Sequence, residues 1–286
     1  ICDIHMFYGG VFVLGAALER LKAESKFIYQ GYNLSRSLAP YRLYPDGFEV
    51  IESLRSQPVS NDSWPSRHVH HDTEHYVKAV AARMTVEMDG SDLRPQLSVV
   101  ESDPDLGARF GLTPGTYVGW QPLSNNPKKD YPLSAWRHIL GAFPDTQFVA
   151  LGSAFEKRHM AGFEAPNVRN LCGETNLEES LSLIASARAF VGLDSGLTHI
   201  AATLGIQTLC VAQDSNLGYF FPYPEQLGFD NLKVVFNKDY VHCSGCFMTC
   251  RYEPIWRTRR KGALCLRSLP ADQVSDAIRD LLKCAE

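Results

Sequence analysis

The stretch Ala189-Phe190-Val191-Gly192-Leu193-Asp194-Ser195-Gly196-Leu197-Thr198-His199-Ile200-Ala201-Ala202-Thr203-Leu204-Gly205 reads as a buried strand, a tight turn and a short helix. An apolar run bounded by Gly192 marks the strand, and Asp194-Ser195-Gly196 makes the turn. Leu197, Ile200, Ala201 and Leu204 recur on one face at helical spacing. Gly205 stands where a helix end favours a residue free to take positive φ. A helix that opens straight out of such a turn aims unpaired N–H groups and the positive end of its dipole into the crevice at the strand ends, where a phosphate is stabilised. Ser195 and Thr198 offer hydroxyls there, and His199 offers a ring donor. Asp194 would repel a phosphate, so it suits a sugar hydroxyl or the N–H groups that hold the turn. The same residues also describe an ordinary strand–helix corner with Asp194 or Ser195 as N-cap.

The elements around this corner repeat its pattern. Strands are expected at Tyr117–Trp120, Gln147–Leu151, Val168–Leu171 and Thr208–Ala212, with helices from Ser134, near Glu156, over Leu177–Ala187 and over Ala271–Leu282. Their alternation indicates an α/β protein with parallel, doubly wound sheets. Three strand ends then deliver polar groups to one edge: Lys129, Ser153 to Glu156, and Asp194 to His199. Ligands of open parallel sheets bind outside the carboxyl ends of the strands. A lysine that neutralises phosphate, a glutamate that accepts from ribose hydroxyls and a helix N-terminus suit a nucleotide diphosphate.

The first 114 residues carry a second α/β unit. Ile1–His5 and Lys26–Tyr29 read as strands around the glycine turn Gly9-Gly10, and Phe48–Ile51 as a further short strand. The turn Leu112-Thr113-Pro114-Gly115 is a domain hinge, dividing the chain into 1–114 and 115–286.

Composition sets the outer limits. With 286 residues, 45% hydrophobic and 21% charged, the chain has the make-up of a soluble globular protein with ample core. A net charge of −4 argues against a general nucleic-acid or membrane-surface binder. No apolar run reaches the ~18 residues that span a bilayer, and no signal peptide is evident. The chain opens at Ile1 already in a strand-like segment, which points to a trimmed N-terminus.

Four of eight cysteines crowd into Cys243-x2-Cys246-x3-Cys250-x14-Cys265, within a loop expected over 242–265. This spacing suits four thiolates around a structural Zn or Fe, in a reducing, cytoplasmic compartment, more than secreted disulfides. Free or buried thiols are the other reading. Arg257, Arg259, Arg260 and Lys261 make a basic patch in that loop, suited to an anionic acceptor such as a phosphorylated glycolipid at a membrane surface, or simply a solvated face.

Two motifs carry a family resemblance. Val191 to Ala202 followed by Leu204-Gly205, together with Lys129, Tyr131-Pro132 and Trp136 in a Lys-x-x-Pro stretch before a helix, resemble glycosyltransferase family 9, the ADP-heptose:lipopolysaccharide heptosyltransferases. The resemblance implies a GT-B fold, two Rossmann-like domains facing a cleft, with the donor in the C-terminal half and the acceptor in the N-terminal half. It implies inverting transfer of a sugar, here heptose from ADP-heptose, to a bacterial glycan or glycolipid hydroxyl without a catalytic metal. Carried onto this chain, Lys129 would contact the diphosphate and Glu156 the ribose. Ser195, Gly196, Leu197, Thr198 and His199 would wrap the phosphates, and Asp194 would bind the donor's sugar. The family's first turn holds Gly-Asp, its Asp the proposed general base, where this chain has Gly9-Gly10. Asp3 and His5, on the strand before that turn, are the nearest substitutes. The cysteine cluster resembles the iron-binding finger of bacterial autotransporter heptosyltransferases, which implies a protein acceptor as an alternative. A nucleotide-sugar-binding protein that lost its base is the non-catalytic alternative.

Overall fold

The computed structural model describes residues 105–124, 126–214, 221–223, 228–240 and 262–285, with the backbone alone at 104, at 241–243 and in three short strands. Those strands are β1 (Cys2–Asp3), β2 (Ile28–Gln30) and β3 (Glu49–Ile51). They pair in parallel in the order β1-β2-β3, with Cys2 opposite Tyr29 and Ile28 opposite Glu49. All three fall where strands are expected; the glycine turn Gly9-Gly10 lies outside the described residues.

The second sheet has six parallel strands: β4 (Tyr117–Trp120), β5 (Gln147–Ala150), β6 (Val168–Asn170), β7 (Ala189–Leu193), β8 (Thr208–Val211) and β9 (Leu232–Val235). Their order is β6-β5-β4-β7-β8-β9. The chain therefore leaves β4 toward one edge and, after returning through β7, runs to the other. Helices join them: α1 (Pro104–Arg109) precedes β4, then α2 (Leu133–Gly141), α3 (Ala154–His159), α4 (Leu177–Ala185), α5 (Gly196–Thr203), α6 (Leu264–Arg267) and α7 (Ala271–Cys284) follow.

Side-chain alternation along each strand divides the core between two faces. Val118, Trp120, Phe148, Ala150, Val191, Leu193, Leu209 and Val211 pack with Trp136, Ile139 and Leu140 of α2 and with Val274, Ile278 and Leu281 of α7. Tyr117, Val149, Leu151 and Phe190 pack on the other side with Leu181, Leu183 and Ile184 of α4 and Ile200 and Ala201 of α5. Helices on both faces explain why β4 and β7 are apolar throughout rather than alternating with polar residues. β9 is the one strand of this sheet that the sequence pattern does not announce. Its four residues Leu-Lys-Val-Val are mostly half-exposed at the sheet edge, yet they pair with β8 from Thr208–Leu232 to Val211–Val235.

Candidate functional site

The strand order reverses between β4 and β7, which are hydrogen-bonded neighbours. Such a switch point opens a crevice at the carboxyl ends of the two strands. Gln121 follows β4 there, and Asp194-Ser195 follow β7. Ser195 is the N-cap of α5. The first bonds inside the helix run from the amides of Thr198 and His199 to the Ser195 carbonyl, at 3.1 and 3.3 Å, so the amides of Gly196 and Leu197 come before the helix's own hydrogen bonding. The Ser195 hydroxyl makes no cap bond and instead accepts from Gln121 Nε2 at 3.0 Å. The Thr198 hydroxyl, read from sequence as a phosphate donor, is fully buried and donates to the Leu193 carbonyl at 2.6 Å, closing the turn from inside.

Lys129 ends a 3-10 turn, Pro127–Lys129, capped by Asn126. Its loop is tied down at several points. Ser124 N donates to Asp130 Oδ1 at 2.8 Å, Trp136 Nε1 to the Pro122 carbonyl at 3.2 Å, and Ala263 N to the Lys128 carbonyl at 2.8 Å. A Cβ on Gly262 would fall 1.9 Å from the Asp130 carbonyl oxygen, so only glycine allows this approach. Thus anchored, Lys129 Nζ donates to Asp194 Oδ2 at 2.9 Å and to the Asp194 carbonyl at 2.8 Å. The Lys129 side chain is 17% exposed and that of Asp194 4%. Asp194, read as a ligand for a sugar hydroxyl, here holds the ammonium group at the mouth of α5.

His199 is buried behind Asp194. Its ring stacks on Phe221 with centroids 4.0 Å apart, its Nδ1 lies 2.6 Å from the Tyr223 hydroxyl, and its Nε2 stands 3.8 Å from Asp194 Oδ1. Burial above all, then the charge of Asp194 and Cys210, pushes the Tyr223 phenol well above its usual range. Burial likewise raises the Cys210 thiol, with Asp194 adding to the shift and Lys129 opposing it.

Glu156 sits in the first turn of α3, only 3% exposed. Its Oε2 accepts from Ser153 N at 2.7 Å and from the Ser153 hydroxyl, while Ser153 Oγ accepts from the Phe155 amide, a reciprocal capping box. Ser153→Ala is expected to lower stability by about 1 kcal/mol. Urea unfolding followed by tryptophan fluorescence measures it; an unmoved midpoint would deny this cap its part in ordering α3. Cys172 lies under the same turn, its thiol pushed up to about 12 by burial and, second, by Glu156.

The other expected site residues fare differently. Asp3 belongs to β1, described by backbone alone, and His5 lies outside the described residues. Cys243 ends a 3-10 turn, Lys238–Cys243, while Cys246, Cys250 and the basic patch at Arg257 to Lys261 fall outside. Cys265 is not in a loop: it lies in α6, buried in the core, so the loop expected over 242–265 ends in a helical turn. Among the described residues no group of three or more His, Cys, Asp or Glu is placed to hold a metal ion.

Sequence reasoning passed over Gln121, Gln213, Phe221 and Tyr223. Gln213 buries both polar atoms of its amide beyond β8 without a hydrogen-bond partner among the described residues. A polar residue just past an apolar strand was the available signal for both glutamines. Phe221 and Tyr223, around Pro222, carried no spacing that pointed to the corner.

The reversed strand order and the amide-rich corner at its switch point define a doubly wound α/β protein, the kind of unit from which the GT-B fold is built. The chain belongs to glycosyltransferase family 9 (heptosyltransferase), whose sequence profile matches residues 56–243. Over 165 residues it is 34% identical to lipopolysaccharide heptosyltransferase 2 of Salmonella typhimurium, covering 51% of this chain and 45% of the relative. Over 170 residues it is 27% identical to lipopolysaccharide heptosyltransferase 1 of Pseudomonas aeruginosa, covering 55% and 46%. The chain thus matches just under half the length of these curated relatives. Among solved structures, the glycosyl transferase family 9 protein of Veillonella parvula superposes with a TM-score of 0.66 at 14% identity, covering 99% of this chain and 96% of that one. The iron-containing dodecameric glycosyltransferase TibC of enterotoxigenic E. coli gives 0.66 at 16% identity, covering 100% and 76%. E. coli ADP-heptose lps heptosyltransferase II gives 0.60 at 17%, covering 99% of both. At these identities the likeness is one of fold.

Proposed function

We propose that the corner at β4 and β7 holds the diphosphate of a nucleotide sugar, and that the protein transfers the sugar to a glycan or glycolipid hydroxyl with inversion. The observation that carries this reading is the Lys129 ammonium, fixed by Asp194 at the mouth of α5, next to the early amides of Gly196 and Leu197. ADP-heptose is the donor to test first, because a heptosyltransferase of the same fold is described in complex with ADP-D-beta-D-heptose.

In this mechanism the acceptor oxygen attacks the anomeric carbon, and the bond from that carbon to the diphosphate oxygen breaks. Negative charge develops on the departing diphosphate. Lys129 and the α5 amides are already oriented to receive it, which is how a fixed site lowers such a barrier without a catalytic metal. The Ser195 hydroxyl, accepting from Gln121, has its own proton to offer a phosphate oxygen. Thr198 and His199 act from behind, by closing the turn and backing Asp194. Glu156 meets the ribose from the start of α3. The acceptor's proton goes to a base in the N-terminal half, Asp3 or His5.

A cytoplasmic enzyme working on a membrane-bound glycolipid fits this reading; no helix among the described residues is long and apolar enough to cross a membrane. Transfer to a protein hydroxyl is a second reading, favoured by the Cys243 to Cys265 spacing. On either reading Cys243, Cys246, Cys250 and Cys265 would hold a structural Zn or Fe, testable by metal analysis of the purified chain.

The deciding experiment incubates the chain with ADP-heptose, with and without a heptose-deficient lipopolysaccharide core, and measures ADP release. Acceptor-dependent release is expected. Donor binding with no release under any condition would favour a nucleotide-sugar-binding protein instead, and no binding would remove the donor site.

A further inference from the structure

Behind the lysine and its carboxylate lies a layer of aromatic side chains. The imidazole of His199 is only 2% exposed. Phe221 covers one of its faces, the two rings being 11° from parallel. Tyr223 meets its edge, with rings 5.7 Å apart at 69°. Tyr223 is itself braced, stacked on Phe229 at 4.4 Å and edge-on to Phe221 at 5.5 Å. Held on these sides, the imidazole keeps its orientation.

The two ring nitrogens face different partners. Nδ1 lies 2.6 Å from the Tyr223 hydroxyl, and Nε2 stands 3.8 Å from Asp194 Oδ1. Among the described residues, Asp194 at the end of β7 and Tyr223 face the ring, and Cys210 on β8 and Lys129 act on those two partners. Burial and the neighbouring Asp194 and Cys210 keep the Tyr223 phenol protonated, so it has a hydrogen to give. A neutral imidazole that accepts at Nδ1 carries its proton on Nε2, because one nitrogen donates when the other accepts. That nitrogen stands 3.8 Å from Asp194 Oδ1, beyond hydrogen-bond length but close enough for its N–H dipole to act on the carboxylate, whose other oxygen holds Lys129.

We propose that Tyr223 is a positioning residue of the donor site: its hydroxyl donates to Nδ1 of His199, keeps the ring proton on Nε2 facing Asp194, and so orients the carboxylate that holds Lys129. This inference rests on the proposed donor reading of the corner. It adds a residue that touches neither lysine nor diphosphate, yet acts on both through two side chains.

Tyr223→Phe removes the hydroxyl and keeps the ring against Phe221 and Phe229. Two measurements on the whole chain test the idea. In long-range 1H–15N spectra of 15N-histidine-labelled protein, with His199 assigned by the loss of its signals in His199→Gln, the unmodified chain is expected to show the Nε2–H tautomer. Tyr223→Phe is expected to give a mixture. In calorimetric titration with ADP, the same variant is expected to bind roughly five- to tenfold more weakly, the size of one lost hydrogen bond acting through the site. A proton on Nδ1 or a doubly protonated ring in the unmodified chain would overturn the proposal. So would equal ADP affinity in the two proteins, which would leave the donor reading intact. If the unmodified chain binds no ADP, the donor reading itself falls, and this inference with it.

Discussion

Lys129→Ala is expected to raise the dissociation constant for ADP by roughly 10- to 100-fold, since a hydrogen bond to a charged group contributes about 1.5–3 kcal/mol. The structure gives reason to expect the upper part of that range. Lys129 does two things at once: it presents positive charge to the crevice, and it neutralises Asp194 through bonds to the carboxylate and to the carbonyl of the same residue. Once the ammonium is gone, Asp194 remains as a buried carboxylate at the mouth of α5, a like charge to any diphosphate that approaches. The loop around Lys129 is fastened through Asp130, Trp136 and Ala263, which holds the lysine at the corner. Isothermal titration at fixed ionic strength is the measurement, because screening would otherwise blur the comparison. An unchanged affinity would move the diphosphate away from Lys129 and leave the lysine as a structural partner of Asp194.

Gly192→Ala is expected to damage both fold and site. A Cβ at this position would fall 2.2 Å from Thr198 Oγ1 and 2.8 Å from the Phe190 ring. Thr198 cannot easily yield, since it is fully buried and bonded to the Leu193 carbonyl. Phe190 is equally confined: a Cβ on Gly119 of the neighbouring strand would come within 2.7 Å of the same ring. The ring occupies the space that two glycines on adjacent strands leave open. Overpacking such a core costs about 1–3 kcal/mol, and losing the Thr198 bond adds about 1 kcal/mol. Because Thr198 fixes where α5 begins, ADP binding should weaken along with the urea midpoint. A variant with native stability and native ADP affinity would show that the turn tolerates a different packing and that its geometry does not place the helix.

Much of this corner could be read residue by residue. The apolar run before Asp194, the turn Asp194-Ser195-Gly196 and the spacing of Leu197, Ile200, Ala201 and Leu204 locate β7 and α5 because each signal is local, carried by residues within one turn of one another. The strands β4, β5 and β8 were legible for the same reason, being largely apolar and bounded by turns. β9 was not, since its half-exposed Leu-Lys-Val-Val earns its place by pairing with β8 rather than by its own pattern.

The sequence by itself determined the α/β alternation, the family, and the residue types that an anion-binding corner requires. Tertiary structure alone decided what each side chain does there: that Asp194 clasps Lys129, 65 residues away, that Thr198 turns inward to Leu193, that Gln121 reaches Ser195, and that Tyr223 backs His199. Strand and helix signals repeat every two or 3.6 residues and survive in a linear reading. Hydrogen-bond partners are set by which strands lie side by side, and only the order β6-β5-β4-β7-β8-β9 brings the ends of β4 and β7 into one crevice.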